Sequence, residues 1–209
     1  IRVRCIRTRR CSAICRSVAG ESQARTRYQL AAAVARREDL EVVARIFETA
    51  AANELAHAQE FLELLCKWNR GGLENLTISA GYPYVLGTVA ENLKAAQAGE
   101  WEEHSDVYPA FAAAAEREGF ADAARLWRGI AVVEGVHYEV FRQCGAQLEA
   151  GQLFSKASPI VWRCANCGYT YTAKTAALTC PVCGKPVGWM LGDVESQPPA
   201  LVPDHKNSR

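Results

Sequence analysis

Two tetrapeptides decide how this chain folds: Glu54-Leu55-Ala56-His57 and Glu134-Gly135-Val136-His137. Residues three apart on a helix share a face, so each tetrapeptide aims a carboxylate and an imidazole at one point. Each also has a lone glutamate upstream, Glu21 at 33 residues before Glu54 and Glu100 at 34 before Glu134. The midpoints of these spans fall beside turn signals, Arg36-Arg37-Glu38-Asp39 in the first and Gly119 in the second. Within each helical hairpin the lone glutamate and the ExxH should therefore stand at the same height, roughly 25 Å from the turn at about 1.5 Å per residue. Four helices presenting four glutamates and two histidines at one level is the ligand pattern of dinuclear carboxylate bundles.

A solvated helix face is the ordinary reading of scattered glutamates, and the surroundings oppose it. Glu54 follows Ala50-Ala51-Ala52, and Glu134 follows Ile130-Ala131-Val132-Val133, both core-like runs. A buried, unpaired carboxylate costs several kcal/mol, so each needs a cation or a proton. An oxygen-rich dinuclear site with two imidazoles suits iron or manganese better than structural zinc. Glu103, three residues after Glu100, faces the same level and adds a fifth carboxylate that the repeat does not require, because Ala24 holds the equivalent place after Glu21. His104 is turned away from it by about 100°.

Hydrophobic periodicity predicts helices over Ser12–Arg37, Asp39–Trp68, Tyr84–Tyr108 and Phe120–Ala150, with Gly151 as the stop. Pro109 should break or kink the third, with a short helical continuation to Glu118. The link from Asn69 to Pro83 is long and carries Gly71-Gly72, while the other two connections are short. Two hairpins joined by one crossover define a four-helix bundle of the ferritin-like kind. The expected organisation is an Arg- and Cys-rich leader over 1–16, the bundle over 17–153, a linker over 154–159, a small β-ribbon over 160–195 and a disordered tail over 196–209.

The ribbon is read from Cys164-Ala165-Asn166-Cys167 and Cys180-Pro181-Val182-Cys183, two CxxC turns twelve residues apart. Four such thiolates make a tetrahedral metal site. The spacing does not separate zinc from iron. A dinuclear iron site in the same chain favours iron, which relays single electrons where zinc cannot. The remaining cysteines fit no disulfide framework: Cys66 and Cys144 end apolar helical patterns as small core residues, and Cys5, Cys11 and Cys15 lie in the leader.

The chain has 24 basic and 23 acidic side chains, a formal net charge of +1, so no nucleic-acid or anionic-membrane partner is implied. No apolar run approaches the roughly 18 residues of a membrane span. Without a secretory h-region, a reducing cytoplasm is the expected compartment.

With these motifs in place, the sequence resembles the rubrerythrins over about Val18 to Leu191. The resemblance rests on Gly20-Glu21-Ser22-Gln23-Ala24-Arg25, the two ExxH strings, Asn92-Leu93-Lys94, Ala98-Gly99-Glu100, Glu103, Tyr108-Pro109, Trp162-Arg163-Cys164, Cys167-Gly168-Tyr169 and Cys180-Pro181. It implies a mainly α, ferritin-like diiron domain with a C-terminal rubredoxin-like domain. The implied activity is that of a non-haem peroxidase reducing hydrogen peroxide to water in oxidative-stress defence. Two irons would sit in the bundle and one rubredoxin-type Fe(Cys)4 iron in the ribbon. By the same resemblance Glu54 and Glu134 bridge the irons, Glu21 binds one, and Glu100 with His137 the other. Glu103 and His57 exchange on the Glu21 side with redox state, and Tyr28 and Tyr108 hydrogen-bond ligand carboxylates. Electrons would come from an external donor, a rubredoxin or an NAD(P)H-dependent reductase, and the chain would form a homodimer. Ile1 to Arg16 departs from the family's usual start, and the tail after Gly192 has no counterpart in it.

Two other functions compete. A ferroxidase, or an iron-storage or oxygen-reducing diiron protein, needs the bundle but neither the ribbon nor Glu103. A metal sensor or zinc-ribbon interaction module leaves the paired ExxH motifs without a role.

Overall fold

The computed structural model describes residues 9–69 and 78–192. The leader as far as Thr8, the Gly71-Gly72 part of the crossover, and the 196–209 tail lie outside the described residues, as does the side chain of Cys11. Five α-helices come first, α1 (Arg9–Arg37), α2 (Glu41–Trp68), α3 (Val89–Glu102), α4 (Tyr108–Arg117) and α5 (Ala121–Glu149). Three strands follow, β1 (Ser155–Cys164), β2 (Thr170–Thr175) and β3 (Met190–Leu191). α1 pairs with α2, and α3 with α4 forms the third rod of the bundle, packed against α5. The architecture is mainly α, a ferritin-like four-helix bundle followed by a small antiparallel sheet ordered β2-β1-β3.

The first hairpin turns at Asp39, whose φ of 56° is left-handed, and Leu40 N–H closes it on the Ala35 carbonyl at 2.9 Å. Arg36 ties the turn by pairing with Glu41 at 3.0 Å and Glu48 at 2.5 Å. The second hairpin turns at Gly119, φ 80°.

The third rod departs from expectation twice. Helix begins at Val89, not Tyr84, because Thr88 and Glu91 form a capping box and Asn92 accepts from Gly87 N–H. Tyr84, Val85 and Leu86, which the periodicity assigns to the helix, lie before it without regular structure and are exposed. Nor does Pro109 break the rod. A π turn, Glu103–Val107, precedes it, and Pro109 then falls at the start of α4, where a missing N–H is tolerated.

Two apolar clusters flank the level of the paired motifs. One, nearer the α1–α2 turn, holds Tyr28, Phe47, Phe141 and Leu93. The other holds Ile14, Phe61, Tyr108, Trp127 and Ile130. Cys15 and Cys144 are buried in them, as small core residues are.

β1 begins at Ser155, inside the stretch read as a linker, with irregular pairing to β2 between Ser155 and Ile160. Trp162 is fully buried under the sheet and donates Nε1–H to the Ala173 carbonyl at 3.0 Å. The ribbon docks on the α1–α2 turn: Leu191 joins the first apolar cluster, and Arg45 donates to the Ala165 carbonyl at 3.2 Å. A Cβ on Gly188 would lie 1.7 Å from the Asp39 carbonyl oxygen, so only glycine allows this approach.

Candidate metal centre

The bundle brings Glu21 from α1, Glu54 and His57 from α2, Glu100 from α3, and Glu134 and His137 from α5 to one level. Their donor atoms form two groups, each within 4.8 Å: Glu21, Glu54, His57 and Glu134, and Glu54, Glu100, Glu134 and His137. Glu54 and Glu134 belong to both. His57 Nδ1 lies 3.4 Å from Glu54 Oε2 and 3.0 Å from Glu134 Oε1. His137 Nδ1 lies 3.1 Å from Glu54 Oε1 and 2.8 Å from Glu134 Oε2. Glu21 completes the first group at 3.6 Å from His57 Nδ1, and Glu100 the second at 3.4 Å from His137 Nδ1.

Eight buried atoms here have no hydrogen-bond partner: Glu21 Oε2, both oxygens of Glu54 and of Glu134, Glu100 Oε2, and Nδ1 of both histidines. Orphaned polar atoms at this density are far from the few expected of a folded core, and all eight converge on the same two points. Carboxylate oxygen and imidazole nitrogen are the donors that a pair of ferrous ions takes. The residues present fit a diiron centre.

The atoms that do not converge are held by the protein. Tyr28 Oη–H donates to Glu100 Oε1, and Tyr108 Oη–H donates to Glu21 Oε1. One tyrosine comes from each apolar cluster, so the two lone glutamates are oriented from opposite sides. The side-chain amide of Asn53 lies 3.0 Å from His137 Nε2 and fixes that ring. Among the described residues no such bond holds the far nitrogen of His57. Asn53 carries no sequence signal beyond preceding Glu54.

Electrostatics follow from burial among like charges. Burial, and then the neighbouring carboxylate Glu134, pushes Glu100 up to about 8. Burial raises Glu21 well above the usual carboxylate range. His57 is opposed by burial, yet Glu134, Glu21 and Glu54 push it up to about 12. The cluster thus holds protons wherever it lacks other cations.

Glu103, first residue of the π turn, joins neither group of donor atoms. It is partly exposed, whereas the other four glutamates are buried. His104 points elsewhere, with Nδ1 2.6 Å from the Ala131 carbonyl and its ring against Gly135, where a Cβ would come within 2.8 Å.

In the ribbon, the Sγ atoms of Cys164, Cys167, Cys180 and Cys183 lie within 4.8 Å of one another. Cys164 to Cys183 and Cys167 to Cys180 are each 3.6 Å, too long for disulfides and close to the ~3.8 Å edge of a tetrahedron with metal–sulfur bonds of about 2.3 Å. The two knuckles repeat: Gly168 N–H bonds the Cys164 carbonyl and Gly184 N–H the Cys180 carbonyl, both at 2.9 Å. Both glycines have left-handed φ, 77° and 73°. The backbone N–H of Lys185 draws the Cys183 thiol down to about 6, while against the Tyr169 backbone N–H the neighbouring thiols push Cys167 up to about 12, so the metal-free cluster shares protons that a metal would displace. These four residues fit an Fe(Cys)4 site of the rubredoxin type.

Comparison with known proteins matches residues 13–144 to the family model described as rubrerythrin, and residues 162–187 to the rubrerythrin rubredoxin-like domain. The chain is 45% identical over 169 residues to a rubrerythrin of Porphyromonas gingivalis, covering 80% of this chain and 82% of the relative. It is 40% identical over 172 residues to a rubrerythrin of Clostridium perfringens, covering 82% and 87%. A solved structure described as the fully reduced, all-ferrous state of nigerythrin superposes with a TM-score of 0.58 at 29% identity, covering 86% of this chain and 84% of the other.

Proposed function

Because the chain belongs to the rubrerythrin family, we propose that it is a non-haem diiron peroxidase that reduces hydrogen peroxide to water with electrons relayed through its ribbon. The observation that carries this reading is the pair of donor groups sharing Glu54 and Glu134 in a chain that also holds a four-thiolate site. A ferroxidase has use for the first and none for the second.

The balance is one hydrogen peroxide, two electrons and two protons giving two waters, with the O–O bond broken. Iron bound in the bundle would supply the two electrons and paired Lewis-acid positions for the two oxygens. The protein's part is placement. Glu54 and Glu134 each turn one oxygen to either half of the site. Tyr28 and Tyr108 hold the lone glutamates by their outer oxygens, so those carboxylates keep their aim while charge changes beside them. We assign Glu103 and His57 as alternating groups on the Glu21 side, His57 engaged in the reduced protein and Glu103 in the oxidised one. That His57 stands among the donor atoms while Glu103 stands outside them supports this reading.

Iron held by Cys164, Cys167, Cys180 and Cys183 would relay single electrons from an external donor, a rubredoxin or an NAD(P)H-dependent reductase. The ribbon docks at Asp39, and the fifteen residues from there to Glu54 span about 22 Å of helix. That separation supports a homodimer in which one chain's ribbon serves the partner's bundle. No helix among the described residues is long and apolar enough to cross a membrane.

The test is Cys164→Ser with metal analysis. Turnover with an external donor should be lost, while the chemically reduced variant still undergoes one oxidation by hydrogen peroxide at the parent rate. Normal turnover, or faster oxidation of the parent by oxygen than by peroxide, would refute the assignment.

A further inference from the structure

The metal-binding carboxylates are sealed from solvent, so an oxidant needs a way in. A pocket of about 280 Å³ reaches the surface at Gly81 and Pro83 and carries Glu103 and Tyr108 in its lining. These are the partly exposed fifth carboxylate and the tyrosine that holds Glu21. The neighbouring cavity across Phe111, about 300 Å³ and lined by Trp68, Phe120 and Trp127, carries no donor residue of the site.

Gly20 and Tyr82 stand together in the lining of the first pocket. Gly20 is buried on α1 beside Glu21. The point where its Cβ would stand is 3.5 Å from Cε1 of Tyr82 and 3.9 Å from Oε1 of Glu103. The Tyr82 ring and the Glu103 carboxylate therefore both border a stretch of backbone that carries no side chain. The ring is anchored: Tyr82 Oη–H donates to the Arg16 carbonyl at 2.8 Å, and Gln23 Nε2–H donates to the Pro83 carbonyl at 2.5 Å. Both bonds fasten the end of the crossover onto α1, so the ring is a fixed wall.

We propose that this pocket is the route by which the oxidant reaches the site, and that Tyr82 and Gly20 set the size of molecule admitted. Glu103 lines the pocket, so withdrawal of that carboxylate clears a position that faces the incoming molecule. A cavity of this size takes hydrogen peroxide with ample room, so selection against bulkier organic hydroperoxides falls to the Tyr82 ring beside Gly20. This rests on the peroxidase reading for the identity of the oxidant, and on geometry alone for the route.

The test uses the iron-loaded full chain, Gly20→Leu and Tyr82→Ala, with three probes: hydrogen peroxide and tert-butyl hydroperoxide on reduced protein, and azide on oxidised protein, followed by its absorption change. Leucine on Gly20 has room for its Cβ and sends the remaining carbons into the pocket, so azide entry and both oxidations should slow by about ten-fold or more at unchanged iron content. Tyr82→Ala should raise the rate with tert-butyl hydroperoxide relative to hydrogen peroxide by a similar factor. Unchanged azide entry in Gly20→Leu, or an unchanged ratio of the two hydroperoxides in Tyr82→Ala, overturns the route. Azide effects as expected in a parent protein inert to hydroperoxides would leave the route standing and remove the peroxidase reading instead.

Discussion

Glu54 and Glu134 face each other across the bundle, and each turns one carboxylate oxygen towards His57 and the other towards His137, at 2.8 to 3.4 Å. A carboxylate divided in this way serves both halves of the site, whereas Glu21 and Glu100 each serve one.

That division predicts unequal losses of metal. Glu54→Gln removes a charged donor from both halves and leaves a neutral amide that binds iron weakly. Bundle iron should fall from about two per chain to below one, with the ribbon iron retained. Glu21→Gln should still hold iron in the Glu100–His137 half. Iron counting with the ribbon's thiolate absorption as internal reference checks both, and equal losses in the two variants would deny the bridging assignment.

Stability of the iron-stripped protein should fall as pH rises. Glu100 is pushed up to about 8 from an ordinary value of 4.5, so between those limits the folded chain keeps a proton that the unfolded chain has lost. Stability then decreases with pH across that window. His57, pushed up to about 12 from 6.5, has the same sign: its contribution is complete below 6.5 and drains away as pH climbs towards 12. The Tm of stripped protein should drop by several degrees between pH 5.5 and 8.5. Iron replaces these protons, so its affinity rises over the same range and the loaded protein should lose the downward slope. Parallel melting curves for both forms decide it. A stripped-protein Tm that rises with pH would contradict this proton arrangement.

How much of this was legible in the sequence depended on whether a feature repeats locally. The ExxH pairs with Glu21 and Glu100 are legible because helix period and hairpin symmetry fix both face and height. The π turn is not. In a straight helix Tyr108, eight residues past Glu100, would stand about 80° off its face, and the wider π turn absorbs the excess so that Tyr108 reaches Glu21. Periodicity also carries the third rod back to Tyr84, because Tyr84, Val85 and Leu86 are apolar. The Thr88–Glu91 cap overrides them and leaves them exposed. Asn53 and the seat of Gly188 on Asp39 are tertiary facts with no local pattern.

The Gly188 contact yields its own expectation. Alanine there would place a carbon inside the van der Waals radius of the Asp39 carbonyl, so ribbon and turn must separate. Overpacking of this kind costs about 1–3 kcal/mol. Gly188→Ala should lower the Tm while leaving the ribbon's iron absorption and the bundle's iron content intact. An unchanged Tm would mean that the ribbon does not dock on its own chain's turn in solution.

The assignment of Glu103 and His57 as alternating groups is open to the sharpest test. His57 stands among the donor atoms and, among the described residues, has no counterpart of the bond that steadies His137, while Glu103 waits outside them at the pocket. If the carboxylate serves the oxidised site, its negative charge offsets positive charge gained on oxidation. Glu103→Ala then destabilises the oxidised form, raises the reduction potential and slows reoxidation by hydrogen peroxide. His57→Ala leaves the reduced site short of a donor and spares the oxidised one, so it lowers the potential. The two substitutions act with opposite sign on one equilibrium, and a redox titration of both variants against the parent reads that sign directly. Shifts of the same sign, or none, would make Glu103 a wall of the pocket alone, with no part in holding iron.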